Sequence, residues 1–150
     1  MIALDTNVLV AAAVEAHEQT VAARAFLVSL SERSDVGISE FVLAELYVLL
    51  RNPMVVSKPL TARAAVAVCQ GFRQHPRWQL LGFPPDSAAL HSALWEAAAS
   101  PAFARRRIYD LRLALALIQQ GATEFATANV KDFEAFGFQR VWNPLETARS

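Results

Sequence analysis

The sequence is poor in the residues that support several common kinds of small protein. Its one cysteine, Cys69, cannot form an internal disulfide, so a disulfide scaffold is excluded. Its three histidines are scattered without metal-ligand spacing, which argues against a zinc site. Its 14 basic and 14 acidic residues cancel to a net charge of zero, so binding of nucleic acid through bulk charge is not expected. Any recognition of a charged partner must therefore come from a local site.

Long hydrophobic runs are also missing. Glu, Asp or Arg interrupts each apolar stretch before it reaches the length of a membrane span, so no membrane association is expected. Met1 is followed at once by Ile-Ala-Leu-Asp without a basic region, which predicts no signal peptide and a cytoplasmic location. What is abundant is apolar residues, at 54% of 150, which predicts a single domain over 1–150 with a sizeable core. A small protein this apolar often has a partner, and we expect an oligomer.

Short apolar segments alternate with longer helical ones, which is the pattern of an α/β protein with a parallel sheet wrapped by helices. Strands are predicted at 2–4, 36–38, 78–81, 124–126 and 140–142. Helices are predicted at 15–30, 41–51, 61–74, 86–99 and 107–120, with Ser39, Thr61 and Asp86 at helix starts and Gly121 at a helix end. In open α/β sheets, ligands gather at the carboxyl ends of the strands.

Two carboxylates occur in helices where an acid is not expected. Glu45 is the sole charged residue of 41–50, and Asp110 shares 108–118 with Arg112 alone. A helix that is apolar on nearly all sides is mostly buried, and a buried carboxylate must be paired, neutral or bound to a metal. Residues two apart on a helix do not face each other, so Arg112 is not the obvious partner of Asp110.

Two further acids follow predicted strands. Asp5 comes directly after the first strand, and Asp132 comes shortly after the fourth. If all four carboxylates converge, they repel one another strongly unless a cation joins them. Oxygen ligands without a cysteine or histidine cluster suit Mg²⁺ or Mn²⁺ better than zinc.

Each acid also has a purely structural explanation. Asp5 could make an Asx-turn or cap the next helix. Glu45 and Asp110 could each pair with an arginine in the core, and Asp110 could instead be a helix-start residue. Asp132 could cap a short helix that begins at Phe133. Taken singly, the signals are weak; their joint occurrence favours a metal site.

The four acids lie in motifs whose order is informative. The motifs are Asp5-Thr6-Asn7-Val8-Leu9, then 39–46 around Glu45, 109–114 around Asp110, 127–133 around Asp132, and finally Asn143-Pro144-Leu145. Together they resemble the PIN-domain family, in particular its VapC-type toxins, over 1–145. The resemblance implies a PIN-like three-layer α/β/α sandwich with a central parallel sheet, and a ribonuclease that depends on Mg²⁺ or Mn²⁺.

The resemblance also implies roles for particular residues. Asp5, Glu45 and Asp110 would be the metal ligands and catalytic residues, with the hydroxyl groups of Thr6 and Thr127 near the pocket. Many relatives carry an acid at the position of Asn129 and others rely on an acid three residues later. Asn129 or Asp132 could supply the fourth ligand; we prefer Asp132 as the fourth catalytic and metal-binding acid, with Asn129 as a neutral ligand or water-orienting group. The expected substrate-binding residues are Asn7, Arg112, Asn129 and Lys131.

The partners that the resemblance implies are an RNA substrate, a second copy in a homodimer and a VapB-like antitoxin. Segments 43–50 and 21–30 are the expected dimer face and antitoxin groove. The run 105–107 of three arginines could contact RNA, contact the antitoxin or form a solvated face.

Three other functions are alternatives to a ribonuclease. A haloacid-dehalogenase-like phosphatase needs a second aspartate where this chain has Asn7. A receiver of the CheY type needs a phosphoacceptor and lysine arrangement that is not evident. A catalytically silent PIN-fold binding module is the non-enzymatic alternative.

Overall fold

The structure, a computed structural model, describes residues 1–146, which form five strands and seven helices. The strands are β1 (Ile2–Leu4), β2 (Val36–Ser39), β3 (Gln79–Leu81), β4 (Glu124–Ala126) and β5 (Arg140–Trp142). The helices are α1 (Thr6–Ala13), α2 (Thr20–Leu30), α3 (Glu40–Leu50), α4 (Ala62–Arg73), α5 (Ser87–Ala98), α6 (Arg107–Gln119) and α7 (Val130–Phe133). None of these helices is both long and apolar enough to span a bilayer.

The five strands form one parallel sheet in the order β3-β2-β1-β4-β5. β1 is central, and its residue Ala3 lies opposite Gly37 of β2 on one side and Phe125 of β4 on the other. All of β1 is buried, as expected for a parallel strand that is covered on both faces. Because the strands run in one direction, the residues that follow β1, β2, β3 and β4 lie at the same edge of the sheet.

Alternate residues of β1 point to opposite faces of the sheet, and each face has its own core. Ile2 and Leu4 pack in a cluster with residues of α1 to α4, among them Leu46. Ala3 belongs to a second cluster that includes Leu117 of α6. Helices therefore cover both faces, and the predicted three-layer α/β/α arrangement with a parallel sheet is confirmed.

The residues expected to start or stop helices do so. Ser39, Thr61 and Asp86 accept hydrogen bonds from backbone N–H groups two or three positions later, over 3.0–3.2 Å. These bonds satisfy N–H groups that have no partner within the helix. Gly121 follows α6 with φ of 98°, a conformation that glycine adopts without steric cost.

The N-terminal helices differ from the prediction. α1 was not predicted; it follows β1 directly because Asp5 caps it, with Oδ1 accepting from the N–H of Thr6 over 2.7 Å. The predicted helix at 15–30 was too long, since α2 begins at Thr20. Residues 15–19 form turns, in which Nδ1 of His17 accepts from the N–H of Gln19 over 3.0 Å and so draws the backbone away from a helix.

Candidate functional site

Asp5 is a buried carboxylate at the carboxyl end of the central strand, with 6% of its surface exposed. While Oδ1 caps α1, Oδ2 accepts from the hydroxyl of Thr127 over 2.6 Å and from Nδ2 of Asn7 over 3.0 Å. The predicted alternative, that Asp5 caps the next helix, is therefore confirmed for one of its two carboxylate oxygens. The cap uses one oxygen, and the other is bonded to Thr127, just after β4, and to Asn7.

Thr127 and Asn7 join the two strand ends around Asp5. The fully buried hydroxyl of Thr127 also accepts from the N–H of Asn129 and from Nδ2 of Asn7, over 3.0 and 3.2 Å. Oδ1 of Asn7 accepts from the N–H of Ala128 over 3.0 Å. Asn7 was predicted to bind substrate, but both ends of its amide are used within the protein, so in this structure it orients Asp5.

Glu45 lies beside Asp5 but is exposed, which corrects the expectation that its helix buries it. α3 buries Val42, Leu46 and Leu50 on one stripe, and Glu45 lies off that stripe. Neighbours three and four apart define the buried side of a helix, whereas the apolar composition of a segment does not. Oε2 of Glu45 accepts from the hydroxyl of Thr6 over 3.0 Å, which turns the carboxylate toward the end of β1.

Asp110 and Asp132 complete the group of acids. Asp110 is half-buried in the first turn of α6, and Asp132 is exposed within α7. Because Asp132 lies inside α7, which begins at Val130, the alternative that it caps a helix starting at Phe133 is wrong. Burial raises the pKa of Asp110, the charges of Asp132 and Glu45 raise it further, and the charge of Arg107 lowers it.

The electrostatics of Asp5 show that the acids act on one another. The pKa of Asp5 is raised to about 6. Burial is the largest cause; the hydrogen bonds from Thr127 and Thr6 lower the pKa, and the charges of Glu45 and Asp110 raise it. Such a shift, in a cleft at the strand ends, is typical of functional carboxylates. The structure therefore brings Asp5, Glu45, Asp110 and Asp132 into one electrostatic field.

Within residues 1–146, no salt bridge joins an arginine or lysine to any of the four acids, although the charge of Arg107 acts on Asp110 from a longer distance. The salt bridges found there are Arg33–Asp35, Arg73–Glu40 and Arg77–Glu32, and none of them involves the four acids. The alternative that Glu45 and Asp110 pair with arginines in the core is therefore wrong. As these side chains are placed, no set of three or more acids, histidines or cysteines among the described residues closes around a single ion. The donors that face the cleft are oxygens, the set that Mg²⁺ and Mn²⁺ prefer.

The remaining predicted residues are exposed on the two helices that carry Asp110 and Asp132, or next to them. Arg112 is exposed on α6, with its guanidinium 5.7 Å from the ring centre of Tyr109. Asn129 and Lys131 are exposed at the start of α7. Their predicted role in substrate binding stays a prediction.

Arg107 has a role that sequence reasoning missed, because the three arginines of 105–107 were treated as one patch. Arg105 and Arg106 are exposed, whereas Arg107 is half-buried. Its Nη2 donates to the backbone carbonyl of Asp132 over 3.2 Å, and its guanidinium lies 4.6 Å from the ring centre of Phe136. Arg107 thereby ties α6, which carries Asp110, to α7, which carries Asp132. Position 107 at a helix start offered no sequence signal for this contact.

The chain is similar to known proteins in both sequence and fold. The family model described as the PIN domain matches residues 2–138. A protein named Ribonuclease VapC24 from two strains of Mycobacterium tuberculosis is 48% identical over 145 residues, which cover 97% of each chain.

Two solved structures share the fold at low sequence identity. VapC20 of Mycobacterium tuberculosis, described as a toxin that cleaves the sarcin-ricin loop, has a TM-score of 0.65 at 20% identity and covers 92% of this chain and 96% of its own. VapBC2 of Rickettsia felis, bound to a DNA fragment of its promoter, has a TM-score of 0.67 at 22% identity, with 95% and 98% covered. With its parallel sheet, its acids at the strand ends and a near full-length relative, this chain belongs to the PIN-domain family, in its VapC branch.

Proposed function

We propose that this chain is an endoribonuclease toxin that hydrolyses RNA phosphodiester bonds with Mg²⁺ or Mn²⁺ and is neutralised by a cognate antitoxin. The observation that supports the proposal is that Asp5, Glu45, Asp110 and Asp132 lie close enough to raise one another's pKa, and none of them forms a salt bridge among residues 1–146. The 48% identity to a protein named as a ribonuclease supports the reaction class.

The carboxylates would hold the cation, and other residues prepare them for it. When bound, a divalent cation lowers the pKa of a water molecule, polarises the phosphate and offsets charge on the leaving oxygen. Thr127, Thr6 and Asn7 keep Asp5 in one orientation. Such hydrogen bonds to a ligand strengthen metal binding because the ligand does not have to be ordered when the ion arrives.

Binding of RNA depends on local charge, because the net charge of the chain is zero. Arg112 and Lys131, exposed on either side of the acids, would contact phosphates that flank the scissile bond, and Asn129 would contact the substrate or a water molecule. No nucleophilic side chain is required, since water attacks the phosphorus. The products would carry a 5′-phosphate and a 3′-hydroxyl.

The test is cleavage of RNA by Asp110→Asn in Mg²⁺ or Mn²⁺, with Glu96→Gln as the control. Glu96 is an exposed acid on α5, outside the group of acids described above. We expect Asp110→Asn to lose nearly all cleavage while Glu96→Gln keeps it. Unchanged cleavage by Asp110→Asn would refute the proposal, and failure of the wild type to bind Mn²⁺ would favour a catalytically silent PIN-fold module.

The antitoxin would occupy a groove of about 640 Å³ between α1, α2 and α4. Its walls include Leu27, Phe72 and Trp78, and Val28 on its rim is 71% exposed. An amphipathic segment laid in an apolar channel is a common mode of recognition, and Arg24 in the same groove would attract an acidic residue of that segment. We expect Val28→Lys to escape inhibition by the co-expressed antitoxin yet to cleave RNA at the wild-type rate.

A homodimer and a cytoplasmic location are also part of the proposal. On α3, Val48 is 60% exposed, which leaves an apolar side chain on the face predicted for a second copy. Sedimentation of the wild type and of Val48→Glu tests this, with dissociation expected for the variant. A ribonuclease of this kind acts where its RNA substrate is, in the cytoplasm.

The phosphatase alternative lacks its second acid in the structure as well. The amide of Asn7 donates to Asp5 and Thr127, and its carbonyl oxygen accepts from the backbone. Asn7 has no titratable proton to give to a leaving group. The position that would carry the acid–base aspartate instead orients Asp5.

A further inference from the structure

A cavity of about 630 Å³ opens beside the acids, between α3, α5, α6 and the loop that follows β3. Glu45 and Arg112 line it, so it is continuous with the proposed catalytic centre. The rest of its wall is largely apolar. A cavity of this size with apolar walls and a few polar groups is the usual form of a site for a small flat ligand or part of a larger one. Phe41, Phe83 and His91 are the lining residues that the ribonuclease proposal does not use.

Phe83 is 85% exposed, although an apolar ring of this size is more stable out of water. Its loop is held at both ends by the end of α6. Nε2 of Gln120 donates to the carbonyl of Gly82 over 3.2 Å. The side-chain amide of Gln119 exchanges two hydrogen bonds with the backbone of Asp86, over 2.9 and 3.0 Å. The ring is therefore presented by a braced loop.

Phe41 forms a second aromatic wall of the cavity. The two rings of Phe41 and Phe83 meet edge to face, with centres 5.5 Å apart and planes at 69°. Phe41 is 41% exposed, so part of it also remains open to a ligand. Two rings at a steep angle form a corner in which a flat ring can stack on one ring and meet the edge of the other.

His91 supplies a hydrogen-bond acceptor. Its Nδ1 lies 2.7 Å from the backbone carbonyl of Ser87, which can only accept, and 3.2 Å from the hydroxyl of Ser87, which can donate or accept. The shorter contact requires the proton on Nδ1, and the hydroxyl then accepts as well. In the neutral imidazole, Nε2 is then an acceptor. This tautomer suits an amino group of a ligand.

We propose that this cavity is a nucleobase subsite, in which an unpaired base of the RNA next to the scissile phosphate stacks on Phe83 and Phe41. Its exocyclic amino group donates to Nε2 of His91, which favours adenine, cytosine or guanine over uracil. The inference rests on the proposed ribonuclease function. A base can stack on protein rings only when it is free of its own helix, so the substrate class is single-stranded RNA or an RNA loop.

The position of the cavity fits this assignment. The Phe83 loop leaves β3, and Asp5 leaves β1, two strands away in the sheet. Two strand spacings place these points roughly 10 Å apart at the same edge of the sheet. A phosphate at the acids and a neighbouring base in the cavity would thus lie along one surface, and Arg112, which is exposed and lines the cavity, would be within reach of the RNA.

The experiment uses the full chain and single-stranded oligoribonucleotides of mixed sequence, from which the best-cleaved one is chosen. That RNA is made again with an abasic ribose on either side of the cut. Phe83→Leu keeps an apolar side chain but removes the ring. Trp95→Leu is the matched control, because Trp95 is another exposed aromatic residue, 61% exposed on α5, and does not line the cavity.

We expect Phe83→Leu to lower kcat/KM on the intact RNA about 5- to 150-fold, the range for loss of one base–aromatic stack. Removal of the stacked base from the RNA should lower kcat/KM of the wild type by a similar factor. On that abasic RNA, kcat/KM of the wild type and of Phe83→Leu should differ less than about twofold. Uracil at that position should slow the wild type, and His91→Ala should remove this preference. Trp95→Leu should match the wild type throughout.

The experiment distinguishes failure of the ribonuclease proposal from failure of the nucleobase subsite alone. If the wild type cleaves no RNA in the pool, the ribonuclease proposal fails and the subsite fails with it. If the wild type and Phe83→Leu cleave the intact RNA equally well, the subsite alone is overturned. It is also overturned if the substitution lowers kcat/KM on the abasic RNA as much as on the intact RNA. It is also overturned if Phe83→Leu leaves cleavage intact but dissociates the dimer or abolishes inhibition by the antitoxin, because the cavity is then a protein interface.

Discussion

The hydroxyl of Thr127 donates to Oδ2 of Asp5 over 2.6 Å, although the two residues are 122 positions apart. This bond joins the carboxyl ends of the neighbouring strands β1 and β4 and fixes the buried carboxylate. Both groups are nearly or fully buried, so no water is expected to replace the bond if it is lost.

We expect Thr127→Val, which keeps the shape but removes the hydroxyl, to lower Mn²⁺ affinity or activity about 10- to 100-fold, as is usual for residues that orient a metal ligand. The free energy of unfolding should fall by about 1–3 kcal/mol, because buried hydrogen-bonding groups lose their partner. Calorimetric titration with Mn²⁺ and urea unfolding measure the two effects. Thr127→Ser, which keeps the hydroxyl, is the control, and its Mn²⁺ affinity and stability should be close to those of the wild type. Equal Mn²⁺ affinity of Thr127→Val and Thr127→Ser would contradict the positioning role of the hydroxyl.

The raised pKa of Asp5 predicts a pH dependence of metal binding. With a pKa of about 6 in the metal-free protein, Asp5 is protonated below that pH, and a proton must leave before a cation binds. We expect Mn²⁺ affinity to be constant above pH about 7 and to fall about tenfold per unit below pH about 6. Titrations from pH 5 to 8 measure it, and an affinity independent of pH across this range would contradict the proposed role of Asp5 as a ligand.

The same shift affects the stability of the metal-free protein, with the opposite sign. The folded-state pKa is raised above 3.8, so between pH 3.8 and about 6 the folded protein holds a proton that the unfolded chain does not. The contribution of Asp5 to the free energy of unfolding therefore decreases as pH rises through this window, by about 3 kcal/mol in total, and is level above it. Saturating Mn²⁺ should reduce or reverse this trend in urea unfolding curves.

Glu45 is exposed, so we expect Glu45→Gln to separate function from stability. The free energy of unfolding should change by less than about 0.5 kcal/mol, as for most surface substitutions. RNA cleavage and Mn²⁺ binding should nevertheless be lost, because an amide oxygen carries no charge for the cation. Glu18→Gln, at an exposed acid in the turn before α2, is the control. If Glu45→Gln retains full cleavage, Glu45 is not part of the catalytic group.

Arg107 offers a test of how α7 is held. Arg107→Met keeps an apolar contact with Phe136 but removes the charge and the bond to the carbonyl of Asp132. Because the charge of Arg107 lowers the pKa of Asp110, the acidic limb of the pH–rate profile should move to higher pH and cleavage at neutral pH should fall. Arg105→Met, at an exposed arginine two positions earlier, should leave the profile in place. A variant that loses stability without moving the profile would have a structural role alone.

Local chemistry made much of the fold predictable. The caps at Ser39, Thr61 and Asp86 and the glycine after α6 act over three or four residues, so their signals lie within a short window of sequence. The helix α1 was missed because Asp5 could be read as the end of a strand or as a cap, and it is both. The identity and order of the acids pointed to an oxygen-rich site before any geometry was known.

The sequence by itself determined which side chains carry charge, in which order they occur and which elements hold them, because these depend on residue type and local periodicity. Tertiary structure alone decided which side of α3 is buried, that Arg107 and not its two neighbours reaches α7, and that Phe83 stands on a braced loop beside Glu45. These outcomes depend on how the parallel strands place distant segments at one edge of the sheet. Contacts between residues more than 20 positions apart leave no periodic trace in the segments that make them.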